Sequence, residues 1–157
     1  MSTQDSYVRH EKSVADPVTR AVAIAGLAAV ALIHLLDAHD TFISTPVNGW
    51  LYVCLITGCV LTAGALLQKP DRRAWLAATL LPLGALVAFV YSRTVGLPGG
   101  ADDIGNWWEP LGLSSLFVES CVVAIGASVL QQVHRVAPFG ATRPRMTGLR
   151  TAERSLR

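Results

Sequence analysis

The sequence predicts an all-α protein: a bundle of four transmembrane helices with both termini in the cytoplasm. Hydrophobic residues make up 52% of the 157 residues and charged residues only 15%, whereas an ordinary soluble domain has roughly 25% charged residues. The mean hydropathy is +0.43, and the charges are concentrated between long apolar runs. This distribution excludes a disordered chain, a collagen-like repeat and a water-soluble globule, and the length allows one domain.

Four apolar runs are long enough, or nearly so, to cross a membrane. A bilayer core about 30 Å thick requires about 20 helical residues. The predicted spans cover about residues 19–38, 47–67, 74–93 and 111–133. Backbone groups find no water in lipid, so each run must be a helix or part of a closed barrel. The runs lack the alternation of barrel strands, and Pro and Gly residues separate them, so helices are predicted.

The four predicted spans differ in the ionisable residues that they contain. The first has Arg20 at its start and His34 and Asp37 near its end, and it is predicted to be an uncleaved helix because no small-residue cleavage site follows it. The second contains no ionisable residues other than Cys and Tyr. The third ends at Arg93, and the fourth contains Glu119. Ionisable groups inside a span cost several kcal/mol, so each of them needs a partner or a function.

The distribution of Lys and Arg predicts the orientation in the membrane. Of the thirteen Lys and Arg residues, Arg93 alone lies on one side of the membrane that the predicted spans define. The others lie at the start of the first span, between the second and third spans, and in the tails of residues 1–18 and 134–157. Because cytoplasmic segments carry an excess of Lys and Arg, both tails are predicted to be cytoplasmic. The abundance of Ala, Val and Leu and the excess of Arg over Lys are typical of a GC-rich bacterial genome, so a bacterial plasma membrane is predicted.

Polar residues from three of the predicted helices lie at related depth in the outer half of the bundle. The predicted cluster consists of His34, Asp37, His39, Asp40, Arg93 and Glu119. The favoured interpretation is structural: Arg93 pairs with Glu119 or Asp37 and so fixes how the helices pack. In the same interpretation His34 bonds Asp37 or a backbone carbonyl. The alternative is a site for a proton, a polar ligand or a metal ion, with His34, Asp37 and Glu119 as candidate ligands of Zn²⁺ or Fe²⁺.

Specific cofactors are disfavoured by the positions of their usual ligands. A bis-His haem needs two imidazoles at matched depth on facing helices, but His34 and His39 share one helix end and His134 lies at the opposite surface. Cys54 and Cys59 are five residues apart, a rotation of about 140° on a helix, so a copper–thiolate site is disfavoured. No set of nucleophile, base and orienting group is found, so an enzyme is not favoured.

The loop between the third and fourth spans contains Trp107, Trp108 and Glu109. Aromatic residues at such a boundary are typical of the membrane interface, and interface anchoring is the favoured interpretation. A second hypothesis is that this segment folds over the polar cluster as a lid, since the loop joins Arg93 to the helix that carries Glu119. A third is that it docks a partner.

Two segments of the chain carry a resemblance to a protein family. They read SRTVGLPG at residues 92–99 and WEPLGL at residues 108–113. Together with the polar residues of 34–40, they resemble a signature of small, uncharacterised four-span membrane proteins of actinobacteria. The resemblance covers roughly the third helix through the beginning of the fourth. It implies a bacterial four-helix membrane protein, and it implies no substrate.

The expected function is that of a non-catalytic small membrane protein. It packs with another membrane protein or binds something polar at its outer face. The alternative is a metal-dependent or redox membrane enzyme that uses the polar cluster. The expected surroundings are the lipid bilayer, and a net charge of +2 is too small and too scattered to indicate a nucleic-acid partner.

Overall fold

Four long α-helices make up the computed structural model of the protein. They are α1 (Thr3–Ser44), α2 (Pro46–Gln68), α3 (Arg72–Thr94) and α4 (Pro110–Val136), with a short 3-10 helix at Ala101–Asp103. The structure describes the backbone of residues 3–98 and 100–136 and the side chains of residues 17–98, 100–101 and 103–132. Much of the two predicted tails, including all of residues 137–157 and the side chain of His134, therefore lies outside the described residues.

Each of the four helices contains a segment that is long and apolar enough to cross a membrane. These segments are Pro17–Ser44, Pro46–Gln68, Arg72–Thr94 and Pro110–Gln132. The predicted all-helical architecture with four such helices is confirmed, and it indicates a multi-pass membrane protein. The outside of the bundle is also apolar: Leu61 and Phe117 are 68% and 72% exposed. Helices that are apolar on all sides are typical of membrane spans.

The helices extend past the predicted spans, most of all in α1. The backbone of the predicted N-terminal tail is helical from Thr3 onward, and at its other end α1 continues through His39 and Asp40 to Ser44. Apolar length marks the part of a helix that fits in lipid. Backbone hydrogen bonding continues into polar sequence until a cap or turn ends it, so the helix is longer than the span.

Local sequence determines where the shorter helices begin and end. Pro46 opens α2, where its fixed φ and missing N–H suit the first helical position. Asp71 caps α3 by accepting a hydrogen bond of 2.9 Å from the backbone N–H of Ala74. Gly96 follows α3 with a φ of +88°, and its N–H donates to the carbonyl of Tyr91 at 3.1 Å. The connection between α1 and α2 is one residue long, and the connection between α2 and α3 is three residues long.

The helices form a ring in chain order. α1 packs against α2 and α4, α3 packs against α2 and α4, and α1 and α3 lie diagonally with little contact. The short connections make successive helices antiparallel. The bundle therefore has two distinct ends: the loop end, with Thr45 and the α3–α4 loop of residues 95–109, and the turn end, with residues 69–71.

The apolar core fills the middle of the bundle and the turn end. Its buried members are Ala23, Leu27, Val30, Ala31, Cys59, Leu66, Ala74, Trp75, Ala78 and Val122. Small residues allow two helix pairs to approach closely. A side chain at Gly26 of α1 would meet Val122 of α4, and one at Gly126 of α4 would meet Thr79 of α3. The loop end is packed less tightly.

Candidate functional site

A cavity of about 520 Å³ lies between the helices at the loop end. All four helices and the α3–α4 loop contribute to its wall. Its acidic and basic lining residues are His34, Asp37, Asp40, Arg93, Asp103, Glu109 and Glu119. The structure thus brings together the predicted cluster except for His39, which is exposed. Pockets that hold small molecules measure roughly 300–1,000 Å³, so a small ligand fits this volume.

His34 and Glu119 meet across the interface between α1 and α4. Nδ1 of His34 lies 2.9 Å from the carbonyl oxygen of Val30, which only accepts, so Nδ1 carries a proton. Nε2 of His34 lies 3.7 Å from Oε1 of Glu119. Glu119 is 1% exposed, and its Oε1 accepts a hydrogen bond of 2.8 Å from the hydroxyl of Ser115. Of the two predicted partners of His34, Asp37 or a backbone carbonyl, the structure shows the carbonyl.

Asp37 is bound by hydroxyl groups rather than by a cation. The hydroxyl of Tyr52 donates to Oδ2 of Asp37 at 3.0 Å, and the hydroxyl of Thr41 donates to the same oxygen at 3.3 Å. The ring of Tyr52 also packs edge to face against His34, with centroids 4.8 Å apart. Sequence analysis missed Tyr52. Its position in the sequence was the one indication, because Asp37 and Tyr52 lie at nearly equal distances before and after the one-residue connection at Thr45.

Arg93 binds the α3–α4 loop, and its predicted pairing with Glu119 or Asp37 is wrong. Its Nη1 lies 2.5 Å from the carboxylate of Asp103, and its Nη2 pairs with Glu109. The guanidinium also lies 4.9 Å over the ring of Phe89. The loop folds back over the end of α3 and brings its own carboxylates to Arg93, whereas Glu119 lies more than two turns inside α4. This set of ion pairs is called the Arg93 clasp.

Asn48 is a second residue that sequence analysis missed. It lies in the first turn of α2, is 7% exposed and lines the cavity. Its Oδ1 is buried and has no hydrogen-bond partner among the described residues. Buried polar atoms are nearly always hydrogen-bonded in folded proteins. An unpaired acceptor in a cavity wall therefore marks a position where a ligand or a water molecule donates.

The predicted metal ligands do not form a compact set. Within the described side chains, no group of three or more His, Cys, Asp or Glu residues is arranged to hold a metal ion. The candidate ligands His34 and Glu119 are close, but Asp37 is bound by Tyr52. The geometry therefore lends no support to the metal hypothesis.

The residues of the predicted lid occupy different positions. Trp107 packs edge to face against Phe89, with centroids 6.2 Å apart, and Trp108 is 85% exposed. Of the three predicted residues, Glu109 is the one that lines the cavity in the described structure. The α3–α4 loop does contribute to the cavity wall, but it does so through Leu97, Gly100, Asp103 and Glu109 rather than through the tryptophans.

The three cysteines lie in different environments. Cys59 is buried, whereas Cys54 and Cys121 are exposed. Cys54 lines the cavity, and Cys121 lies outside the lining among the described residues. All three thiols are free.

No family model matches the chain, and neither a curated protein nor a solved structure matches it. The chemistry of the cavity is therefore what bears on function. Its lining combines carboxylates, of which Glu119 is buried, an imidazole, hydroxyl groups and an unpaired amide oxygen with apolar side chains such as Leu55 and Leu81. Such a surface can bind a small molecule that has both a polar group and an apolar part.

Proposed function

We propose that this chain is a non-catalytic four-span protein of a bacterial plasma membrane that binds a small ligand in its loop-end cavity. Both termini lie in the cytoplasm, and the ligand enters from outside the cell. The orientation is supported by the Lys and Arg residues, of which Arg93 alone lies at the loop end among the described side chains.

The observation that carries the proposal is the burial of polar side chains around an open volume. His34, Asn48, Arg93 and Glu119 are each at most 8% exposed, yet all four line the cavity of about 520 Å³. A polar cluster that served only to hold helices together would be expected to close upon itself. A cavity lined by such groups instead resembles a binding site, where a few polar groups orient a ligand within an apolar wall.

The native cysteines provide a test of this proposal. Cys54 lies roughly 12 Å along α2 from Pro46, at about 1.5 Å per residue, and it lines the cavity, so the proposal predicts that water-soluble reagents reach it from the loop end through the cavity. Three single-cysteine chains, each retaining Cys54, Cys59 or Cys121, are treated in whole cells with a membrane-impermeant methanethiosulfonate. We expect modification of Cys54, because a thiol in water ionises and reacts. Cys121 is the matched control, since it is exposed but faces away from the cavity lining.

Two results would contradict the proposal. If Cys54 stays unmodified in cells and also after the membrane is permeabilised, the cavity does not admit solutes. If it reacts only after permeabilisation, the loop end faces the cytoplasm and the proposed orientation is wrong. A reaction of Cys121 equal to that of Cys54 would show that reactivity does not report on the cavity.

A further inference from the structure

We infer that the ligand of the loop-end cavity is an organic cation, a primary ammonium group attached to an apolar body. This inference rests on the proposed function, and it names the chemical class of the ligand. A free amine and the amine headgroup of a lipid share this chemistry. The inference is drawn from the hydrogen-bonding groups, the charges and the apolar surface of the cavity wall.

The buried wall of the cavity presents acceptors that lack a donor. Oδ1 of Asn48 is buried without a partner among the described residues. The hydrogen bonds of Tyr52 and Thr41 to Asp37 both go to Oδ2, so Oδ1 of this carboxylate is available as an acceptor. A ligand that satisfies such groups must donate hydrogen bonds. A primary ammonium group has three N–H donors and no acceptor.

The charges of the cavity also favour a cation. The Arg93 clasp pairs the guanidinium with two carboxylates, those of Asp103 and Glu109. Asp37, Asp40 and Glu119 are then left in the wall, and His34 is the remaining residue of the described cavity lining that can become positive. The wall therefore has more carboxylates than cations, and a positively charged ligand complements it.

An anion is a poorer match for the same wall. The Nε atom of Arg93 is the one fully buried side-chain donor without a partner among the described residues, and an anion could bind there. However, the two carboxylates of the clasp flank this guanidinium, so an anion there would face like charge. Like-charge contacts oppose binding.

The apolar part of the cavity wall favours a ligand with an apolar body over a bare ion. Leucine and alanine side chains of α2 and α3 line the cavity beside the ring of Tyr52, among them Leu55, Leu81, Ala85 and Ala88. The described side chains also contain no cluster that could hold a metal ion. An ammonium group on a hydrocarbon or aromatic body fills both parts of the cavity.

Binding of 2-phenylethylammonium to the full chain in dodecyl maltoside micelles tests the inference. Two probes of similar shape serve as comparisons: the uncharged 3-phenyl-1-propanol and the anion 3-phenylpropionate. Affinity is measured by calorimetry, and occupancy of the cavity by protection of Cys54 from modification. We expect the ammonium to bind most tightly and to protect Cys54. Asp37→Asn should weaken its binding roughly 10–100-fold, because a charge-assisted hydrogen bond is lost.

The matched control is Asp71→Asn at the turn end. Asp71 caps α3 far from the cavity, and Asn caps a helix equally well, so affinity for the ammonium should not change. Glu119→Gln provides a second cavity variant in case Asp37→Asn does not fold. It keeps an acceptor for Ser115 while removing the charge, and it should also weaken binding.

A further arm identifies the source of the amine. Lysophosphatidylethanolamine and lysophosphatidylglycerol are added to the same micelles. If the ethanolamine lipid binds and the glycerol lipid does not, and if Asp37→Asn loses this binding, the inference is supported and the ammonium is assigned to a lipid headgroup. Tighter binding of the free ammonium assigns it to a soluble amine.

The inference is overturned if the alcohol or the anion binds as tightly as the ammonium, or if neither cavity variant changes its affinity. It is also overturned if no amine protects Cys54. Protection by the alcohol or the anion would leave the binding function in place and reject only the cation. Failure of the proposed function would be seen separately, as a Cys54 that external reagents do not reach in cells.

Discussion

Tyr52 holds Asp37 in place from the neighbouring helix. Its hydroxyl donates to the carboxylate at 3.0 Å while its ring packs against His34. An isolated carboxylate inside a membrane span is costly, so the hydroxyl group both satisfies Asp37 and joins α1 to α2. The ring and the hydroxyl therefore have separable roles.

The change Tyr52→Phe tests the role of the hydroxyl alone. It keeps the ring contact with His34 and removes the hydrogen bond to Asp37. We expect the free energy of unfolding to fall by about 1 kcal/mol, as for other polar contacts between membrane helices. The measurement is unfolding in mixed dodecyl maltoside and SDS micelles, followed by circular dichroism. Tyr91→Phe is the matched control because Tyr91 is 48% exposed on α3. Equal losses in both variants would contradict a special role for Tyr52.

Charged residues of the site could be predicted from the sequence, but their uncharged partners could not. His34, Asp37 and Glu119 interrupt apolar runs, and counting residues from the helix ends places them at related depth. Tyr52 and Asn48 carry no charge and do not stand out in an apolar run. They become recognisable only when the pairing of α1 with α2 is known.

Close approach of α4 to its neighbours depends on glycine. A Cβ atom at Gly126 would overlap the hydroxyl of Thr79, which is itself bound to the carbonyl of Trp75 at 2.8 Å. The hydroxyl therefore cannot turn away without breaking its hydrogen bond. Small residues at helix contacts in membranes allow the backbones to pack closely.

Gly126→Ala should weaken the packing of α3 against α4. Overpacking of this kind costs roughly 1–3 kcal/mol in the free energy of unfolding. Gly64→Ala is the matched control, since a Cβ there meets no described atom within 4 Å. This control should be neutral or stabilising by up to about 1 kcal/mol, because Ala is the better helix former. The same unfolding assay compares the two variants, and an unchanged stability of Gly126→Ala would contradict the close contact.

The helices could be predicted from the sequence, whereas the course of the α3–α4 loop could not. Apolar length identifies four spans because lipid requires long helices. The loop is held by the Arg93 clasp and by the backbone N–H of Gly105, which donates to the carbonyl of Arg93 at 2.9 Å. These contacts depend on how the loop folds back, and no periodicity encodes that path. The predicted pairing of Arg93 was wrong for this reason.

The whole molecule is divided into two unlike ends. The turn end has an apolar core with Leu66 and Trp75, while the loop end has the polar cavity and most of the buried polar groups. Basic residues also differ between the ends, since the turn end has Lys69, Arg72 and Arg73. The positive-inside rule relates this difference to the orientation in the membrane.

Reporter fusions test the proposed orientation. Green fluorescent protein joined after Arg157 should fluoresce, and alkaline phosphatase at the same position should be inactive, because the proposed orientation places the C-terminus in the cytoplasm. Alkaline phosphatase inserted after Asn106 in the α3–α4 loop should be active. The opposite pattern of activities would reverse the orientation and direct the cavity towards the cytoplasm.

The dense packing below the cavity makes it a blind recess. Leu27, Val30 and Leu66 are each 0% exposed and fill the described bundle towards the turn end. A solute in the recess therefore does not leave through the turn end. In the proposed function, the cavity would therefore hold its ligand rather than conduct it across the bilayer. An effect of ligand binding on the opposite membrane surface would then require a shift of the helices relative to one another.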